Sequence, residues 1–432
     1  MSTPTTAASG QTPGQIAPAR TAGTDFRPAR LHPPTLRLFW AALPLLLRRF
    51  CDVVRVDIPP EDIARLKSLA GERLLLTPNH PTNDDPALLF ALSQAANVPF
   101  HYLACRETFD GLGGLWGRLI QRLGAYSVVR GTADRESFRA TRELLAGPAG
   151  KVVIFPEGEV YSQNDTLLPF HSGVVQLAFW ALEDARRAGD EQADVSLLPV
   201  AVRYCFVQDM TEPIARSLAS LEEALGLVTE AGAEPYARLR RIGIAVLETM
   251  EAEYGLKRRG PGAEDLTPRM NALKTLLLDR AAALIGVTLP PDATLPEKMR
   301  TLINSVYAVT REEPAARRSP YRERLHAQQA ACVEPLMRDL NRVANWIAVQ
   351  DNYVRARPTP ERMADNLRRL EVEAFGAPRL RGPRRATVRV GDPFRLAPCY
   401  DAYRADKRAT AARVTRDLEA AVQALLDASA AA

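Results

Sequence analysis

The feature that most restricts the fold of this chain is a set of short runs that are apolar almost without a break: RLLLTPN (Arg73–Asn79), FHYLA (Phe100–Ala104), KVVIFPEG (Lys151–Gly158) and SLLPVAVRY (Ser196–Tyr204), with AYSVV (Ala125–Val129) as a weaker fifth. A strand with one face in water alternates apolar and polar residues, whereas a strand covered on both faces does not. Helical stretches lie between the runs, among them Arg135–Leu145 and Val174–Ala188. Alternation of buried strands with helices predicts an α/β fold, a mostly parallel sheet flanked by helices, over residues 51–208.

The remaining segments have different textures. Residues 1–34 begin MSTPTTAASGQTPGQIAPARTAG, rich in Thr, Ala, Gly and Pro, and read as a disordered leader. Residues 35–50 hold an apolar run from Leu38 to Leu47, with Trp40 early and Arg48 and Arg49 late. The run is about half the ~20 residues a spanning helix needs. It is read either as a helix lying at a membrane surface or as a helix packed on the core. From 209 to 380 helical patterns dominate: Leu266, Met270, Leu273, Leu277 and Leu284 form one stripe, opened by Thr267–Pro268, and Val333, Leu336, Leu340, Val343 and Ile347 form another. Both read as packing faces. Over 381–428 RRATVRVGDPFRL (Arg384–Leu396) looks like a strand and Arg404–Leu425 like a helix, so this stretch is expected to return to the core and leave 209–380 as a large α-helical insertion. Between Pro378 and Arg408 nine Lys or Arg face three Asp; the run is read as a solvated face or as a surface for anionic lipid or substrate.

Composition narrows function only in part. A formal charge of +5 is compatible with an anionic partner without selecting one. Aromatic residues are 6% and do not interleave with basic ones, which argues against a nucleic-acid partner. The cysteines, Cys51, Cys105, Cys205, Cys332 and Cys399, form no Cys-x-x-Cys pair, which favours a reducing compartment without structural zinc.

The chemistry concentrates in LLLTPNHPTNDDP (Leu74–Pro86). A neutral imidazole takes a proton from a hydroxyl near neutral pH, and a carboxylate on its other nitrogen fixes the tautomer and steadies the imidazolium. The strand would present His80 at its C-terminal end, where open α/β sheets bind ligands, and Asp85, opening the next helix, would reach back. A cap at a strand–helix turn is the plain alternative. A metal-dependent hydrolase using His80, Asp84 and Asp85 is disfavoured, because His101 and His171 stand in other settings and no second ligand cluster appears.

Taken together, the blocks resemble the glycerolipid acyltransferases related to 1-acylglycerol-3-phosphate acyltransferase. N-H-x-x-x-x-D matches Asn79, His80 and Asp85; a Gly with an Arg six positions on matches Gly124 and Arg130; F-P-E-G matches Phe155–Gly158; and an apolar strand carrying a Pro matches LLPVAV around Pro199. FHSG (Phe170–Gly173) and VRVGDP (Val388–Pro393) match lesser features. The resemblance covers roughly Asp52–Tyr204. It implies acyl transfer from acyl-CoA or acyl-carrier protein, as co-substrate, to the hydroxyl of a lysolipid, in phospholipid synthesis or remodelling. It implies no metal and no other cofactor; peripheral attachment to the cytoplasmic face of a membrane is the expectation drawn from the apolar run at Leu36–Phe50. His80 would be the base and Asp85 its orienter; Asn79, Gly124, Arg130, Glu157, Gly158 and Pro199 would contact or shape the substrate site, Arg130 by holding an acceptor phosphate. A non-catalytic lipid-binding protein on the same fold is the rival reading. Many members read E-G-T-R-S in the third block; here Glu159 and Val160 stand in place of Thr and Arg, so lysophosphatidate is expected to be a poorer acceptor.

Overall fold

The computed structural model describes residues 26–129, 134–229, 232–256, 266–310, 319–346 and 352–430. In chain order the elements are α1 (Pro33–Phe50), β1 (Val53–Asp57), α2 (Pro60–Ser68), β2 (Leu74–Pro78), α3 (Asp85–Ala96), β3 (His101–Cys105), α4 (Leu115–Arg122), β4 (Ala125–Val128), α5 (Arg135–Ala146), β5 (Lys151–Val153), α6 (Ser172–Arg187) and β6 (Ser196–Phe206). Then follow α7 (Thr211–Ala224), α8 (Pro235–Glu253), α9 (Leu266–Ile285), α10 (Leu295–Thr310), α11 (Pro320–Trp346), α12 (Asn352–Ala356), α13 (Pro360–Phe375), β7 (Arg384–Val390), β8 (Phe394–Arg395), α14 (Tyr400–Ala405) and α15 (Lys407–Ala428). The chain divides into two compact units. The described residues of Ala19–Val207, Ile303–Ala331 and Gly382–Ala432 make the sheet unit; Gln208–Leu302 and Cys332–Arg381 belong to the helical unit.

In the sheet unit the strand order is β1-β7-β6-β2-β5-β3-β4, with β8 beside β6. Strands β6, β2, β5, β3 and β4 run parallel; β7 is antiparallel to β6 and parallel to β1. The sheet is therefore mostly parallel and flanked by helices. Leu36, Trp40, Leu43 and Leu47 of α1 and Leu88, Leu89 and Leu92 of α3 bury one face. Val174, Val175, Ala178 and Leu182 of α6 and Val414, Leu418 and Val422 of α15 bury the other. Central strand β2 has all five residues buried, the cause of its unbroken apolar run.

The long strand β6 joins two ladders. Its first half, Ser196–Val200, pairs with β2; its second half, Val200–Phe206, pairs with Arg384–Val390 of β7. The backbone groups of ATVRV thus find their partners on β6 and β1. Three arginines of the basic run are in ion pairs, Arg384 with Asp84, Arg389 with Asp62 and Arg395 with Glu72, each at 2.7–2.8 Å. These three pin a strand.

Other expectations need adjustment. Trp40 is buried in the core rather than set at a membrane surface, and α1 packs through every third or fourth residue while Leu38, Leu45 and Phe50 are exposed. KVVIFPEG yields a strand of only Lys151–Val153, since Phe155–Gly158 turns. Strand β1 was not anticipated, its VVRVD being short and polar-interrupted. The last helix is broken at Asp406, which leaves helical geometry to cap α15 through Ala409 N. Among the described residues no helix is long and apolar enough to cross a membrane; the leader's residues 1–25 lie outside the description.

In the helical unit, Leu266, Met270, Leu273 and Leu277 of α9 and Val333, Leu336, Leu340 and Val343 of α11 are buried, as their spacing requires. Leu284 is exposed and Ile347 lies outside the described residues. The unit also buries charge: Glu222 receives Arg238 and Arg241, which hold its carboxyl down at about 2, and Glu251 receives Arg269.

Candidate active site

Strand β2 ends at Pro78 and the next two residues carry the first functional side chains. His80 stands at the C-terminal end of the central parallel strand, and Asp85 opens α3. The five-residue link Pro81–Asp85 turns back on itself, so Asp85 Oδ2 lies 2.7 Å from His80 Nδ1. Asp85 is fully buried and His80 keeps 16% of its side-chain surface. A carboxylate only accepts, so Nδ1 carries the proton in neutral His80 and Nε2 is left with its lone pair. Phe155 stacks on the imidazole at 4.0 Å between centroids and 22° between planes, fixing the ring about its remaining torsion.

Asp85 is held by more than His80. Thr82 N donates to Oδ2 at 2.9 Å, Tyr204 Oη donates to Oδ1 at 2.6 Å, and Thr82 Oγ1 lies 3.0 Å from both Oδ1 and Tyr204 Oη. Burial, with Asp85 alongside, raises the Tyr204 hydroxyl well above the usual phenol range, so it remains a donor. Behind it the Arg384 guanidinium sits 4.5 Å from the Tyr204 ring and donates to Asp84 Oδ2 at 2.8 Å. Burial raises Asp84 despite Arg384, and pushes neighbouring Cys51 up to about 12.

Glu157 closes the site from β5. Phe155–Gly158 is a turn with Pro156 second and Gly158 donating back to Phe155 O at 3.1 Å, the arrangement Pro and Gly favour at those places. It aims Glu157 inward: Oε1 accepts from His80 N at 2.8 Å and Oε2 from Leu168 N at 3.0 Å. Burial pushes its carboxyl up to about 7, against the pull of those two amides. Gly158 has φ +78, and a Cβ there would come within 2.7 Å of His171 Nε2, so only glycine fits. Glu157 and Gly158 thus shape the loop that carries His80.

The other expected site residues fare differently. Asn79 is 1% exposed and its amide is committed to main chain: Nδ2 donates to Val202 O at 3.0 Å and Oδ1 accepts from Val202 N at 2.7 Å. It extends the β2–β6 ladder. Gly124 precedes β4 with φ +98, where a Cβ would lie 2.6 Å from Phe100 O. Both Gly124 and Phe100 stand at N-terminal strand ends, the sheet edge opposite His80, so Gly124 is a packing glycine. Pro199 is buried in β6 at the level of Thr77, against Gly391; it too is structural. Arg130 lies outside the described residues. Glu159 and Val160 are half-buried.

Sequence reading missed Thr82, Tyr204, Arg384 and Asn164. Asn164 repeats the Asn79 device one step on, with Nδ2 to Tyr204 O at 2.6 Å and Tyr204 N to Oδ1 at 2.8 Å. Period two along β6 puts Leu198, Val200, Val202 and Tyr204 on one face, which was the available signal for Tyr204. Arg106 follows β3 at the same sheet edge as His80, two strands across. It is 7% exposed, pairs with Asp110 at 2.7 Å, and its Nε has no partner among the described residues. Among the described residues no three His, Cys, Asp or Glu side chains gather as a metal ion would require.

The acyltransferase family model matches residues 58–203, which contain β2, His80, Asp85, Glu157 and nearly all of β6. The segment therefore carries an acyltransferase domain. The chain has no match among curated proteins.

Proposed function

We propose that the protein transfers an acyl group from a thioester, acyl-CoA or acyl-carrier protein, to the hydroxyl of a lysolipid-like acceptor, with His80 as general base. The observation that carries this reading is the 2.7 Å contact between His80 Nδ1 and buried Asp85, which leaves Nε2 to accept a proton at the ligand-binding edge of the sheet. The acceptor O–H gives its proton to Nε2 as its oxygen attacks the thioester carbonyl. The tetrahedral species collapses, the C–S bond breaks, and the thiolate leaves with the proton from the imidazolium. Asp85, steadied by Tyr204 and Thr82, holds the imidazole through both transfers. No acyl-enzyme forms.

Thiol release from acyl-CoA or acyl-carrier protein, with a panel of lysolipids, tests this. Removal of a general base typically costs ~10²–10⁴-fold; a His80→Ala variant turning over like wild type would sink the mechanism. No thiol release with any donor or acceptor would favour a lipid-binding protein on the same fold.

Two finer features belong to the same reading. Val160 cannot form the forked contact an arginine there would give, and half-buried Glu159 disfavours a dianion. Loss of one charge-assisted hydrogen bond costs about ten- to a hundredfold in affinity. Lysophosphatidate is therefore a poorer acceptor than a phosphodiester or an uncharged lipid alcohol, and Arg106 is the residue placed to hold what anionic group remains. Competition among these acceptors decides the point. Exposed Leu112, Leu115 and Trp116, in the segment after β3, give the catalytic edge an apolar surface. Leu38, Leu45 and Phe50 do the same for α1, beside Arg37, Arg48 and Arg49. They support peripheral attachment at the cytoplasmic face of a membrane.

A further inference from the structure

Arg203 lies near the end of β6 and is 6% exposed. A guanidinium offers two forked edges, Nε with Nη2 and Nη1 with Nη2. Nε and Nη1 of Arg203 are both buried and have no hydrogen-bond partner among the described residues, so neither fork is engaged by them. Taking a charge out of water is costly unless partners compensate it. Arg384, just as buried, has such partners: it donates to Asp84 and to Cys51 O.

The place of Arg203 says what would complete it. Successive side chains of a strand point to opposite faces. Tyr204 packs with Val200 and Val202 on the face where it serves Asp85, so Arg203 points to the other face, as Ala201 does. It is still at the C-terminal edge of the sheet, beyond Val200, the partner of Pro78 at the end of β2. Register sets Thr387 of β7 directly opposite Arg203, with Arg385 and Arg389 two residues to either side, and paired positions share a face. Beyond β7, Arg55 and Asp57 of β1 stand opposite Arg385 and Thr387. Asp57 is shared by Arg55 and, at 3.7 Å, by Arg385; Asp62 reaches Arg389 from α2. Arg55, Arg203, Arg385 and Arg389 thus stand against Asp57 and Asp62 alone in this row. Thr387 is half-buried and Arg385 keeps 36% of its side-chain surface, so solvent reaches the row beside Arg203.

We propose that Arg203 anchors a binding site for one phosphate group, on the face of the sheet turned away from His80. One fork of its guanidinium takes two oxygens, and the Thr387 hydroxyl and loosely paired Arg385 are placed for the others. A phosphate has more oxygens than one fork uses and carries up to two charges, which suits a row where cations outnumber acids. Free phosphate, the phosphates of CoA and a glycerol phosphate head group share this chemistry. The site does not depend on the catalytic role of His80.

The experiment uses the full chain in phosphate-free buffer and titration calorimetry with inorganic phosphate, free CoA and glycerol 3-phosphate. At least one of the three binds, and the tightest identifies the source of the phosphate. Arg203→Met, with wild-type circular dichroism, weakens that ligand about ten- to a hundredfold. A folded Arg203→Met that binds like wild type overturns the proposal, as does absence of binding by all three. Should Arg203→Met fail to fold, Arg203→Lys decides alone. It keeps the charge but has no fork, so it weakens the ligand about tenfold; unchanged affinity refutes the site.

Discussion

Glu157→Gln isolates what the buried carboxylate beside His80 does. In the folded chain its pKa is pushed up to about 7, against 4.5 as the ordinary value. Between those values the folded protein holds a proton that the unfolded chain has released. Stability from this group is therefore full below about pH 4.5, and is lost as pH rises through about 7. Two-state linkage with these values gives a loss on the order of 2–3 kcal/mol between about pH 5 and pH 8. Glutamine cannot titrate, so the variant escapes that loss. It has its own defect: the carboxyl, protonated or not, keeps a lone pair on each oxygen for His80 N and Leu168 N, whereas the amide accepts from one and points an NH2 that cannot accept at the other, costing about 1–3 kcal/mol. The variant should thus be less stable than wild type at about pH 5, and should draw level with it or pass it by about pH 8. Urea denaturation of both proteins across that range measures the difference directly. A wild-type-minus-variant difference that stays flat with pH, or grows as pH rises, would refute a raised Glu157.

Asp85→Asn is expected to cut kcat about 10³–10⁴-fold with little change in KM, because the amide favours the wrong imidazole tautomer; steady-state thiol release checks it. Tyr204→Phe removes the 2.6 Å donor to Asp85 while keeping the ring under Arg384. Loss of a hydrogen bond to a charged group costs roughly 1.5–3 kcal/mol, and the variant should lower kcat more than KM, with Thr82 as the remaining hydroxyl near Oδ1. Replacing Leu112, Leu115 and Trp116 together by Ser should weaken flotation with anionic liposomes while thiol release from a soluble acceptor persists; unchanged flotation would remove this segment from the membrane-facing surface.

What was legible in the sequence follows from where each constraint lies. Strand β2 was readable because burial on both faces forces Leu74–Leu76 to be apolar, and the His80–Asp85 pair because both partners sit in one turn, five residues apart. Thr82 lay in view in the same stretch, but nothing local says that its amide and hydroxyl converge on a carboxylate. Asn79 was legible as a polar residue at a strand end, but its pairing with the Val202 main chain was not, because a side chain that completes a strand ladder looks, in sequence, like any polar residue. The close approaches of Gly124 to Phe100 O and of Pro199 to Gly391 are tertiary facts with no local trace. In the helical unit period alone buried Leu273 and Leu277 correctly, yet it says nothing of the arginines that reach buried Glu222 and Glu251.

The part least visible locally is the one that finishes the site. Residues 58–203 hold His80, Asp85 and Glu157, but Tyr204 stands just past that segment and Arg384 comes 180 residues after Tyr204, the difference of their numbers. Arg384 reaches Tyr204 and Asp84 because β7 inserts between β1 and β6. Arg384 is buried, a state that is stable for a guanidinium only with partners. Asp84 is the acid beside Asp85, and burial acts on it too. Withdrawing β7 would leave Asp84 buried without its counter-charge and strip β6 of the ladder from Val200 to Phe206 that carries Tyr204. The loop between His80 and Asp85 is thus held from behind by a strand that the chain supplies only near its end. Each contact in that chain, Arg384 to Asp84 and to the Tyr204 ring and Tyr204 to Asp85, is direct. Substitutions at Arg384 should therefore register at the His80 imidazole although the residue never touches it.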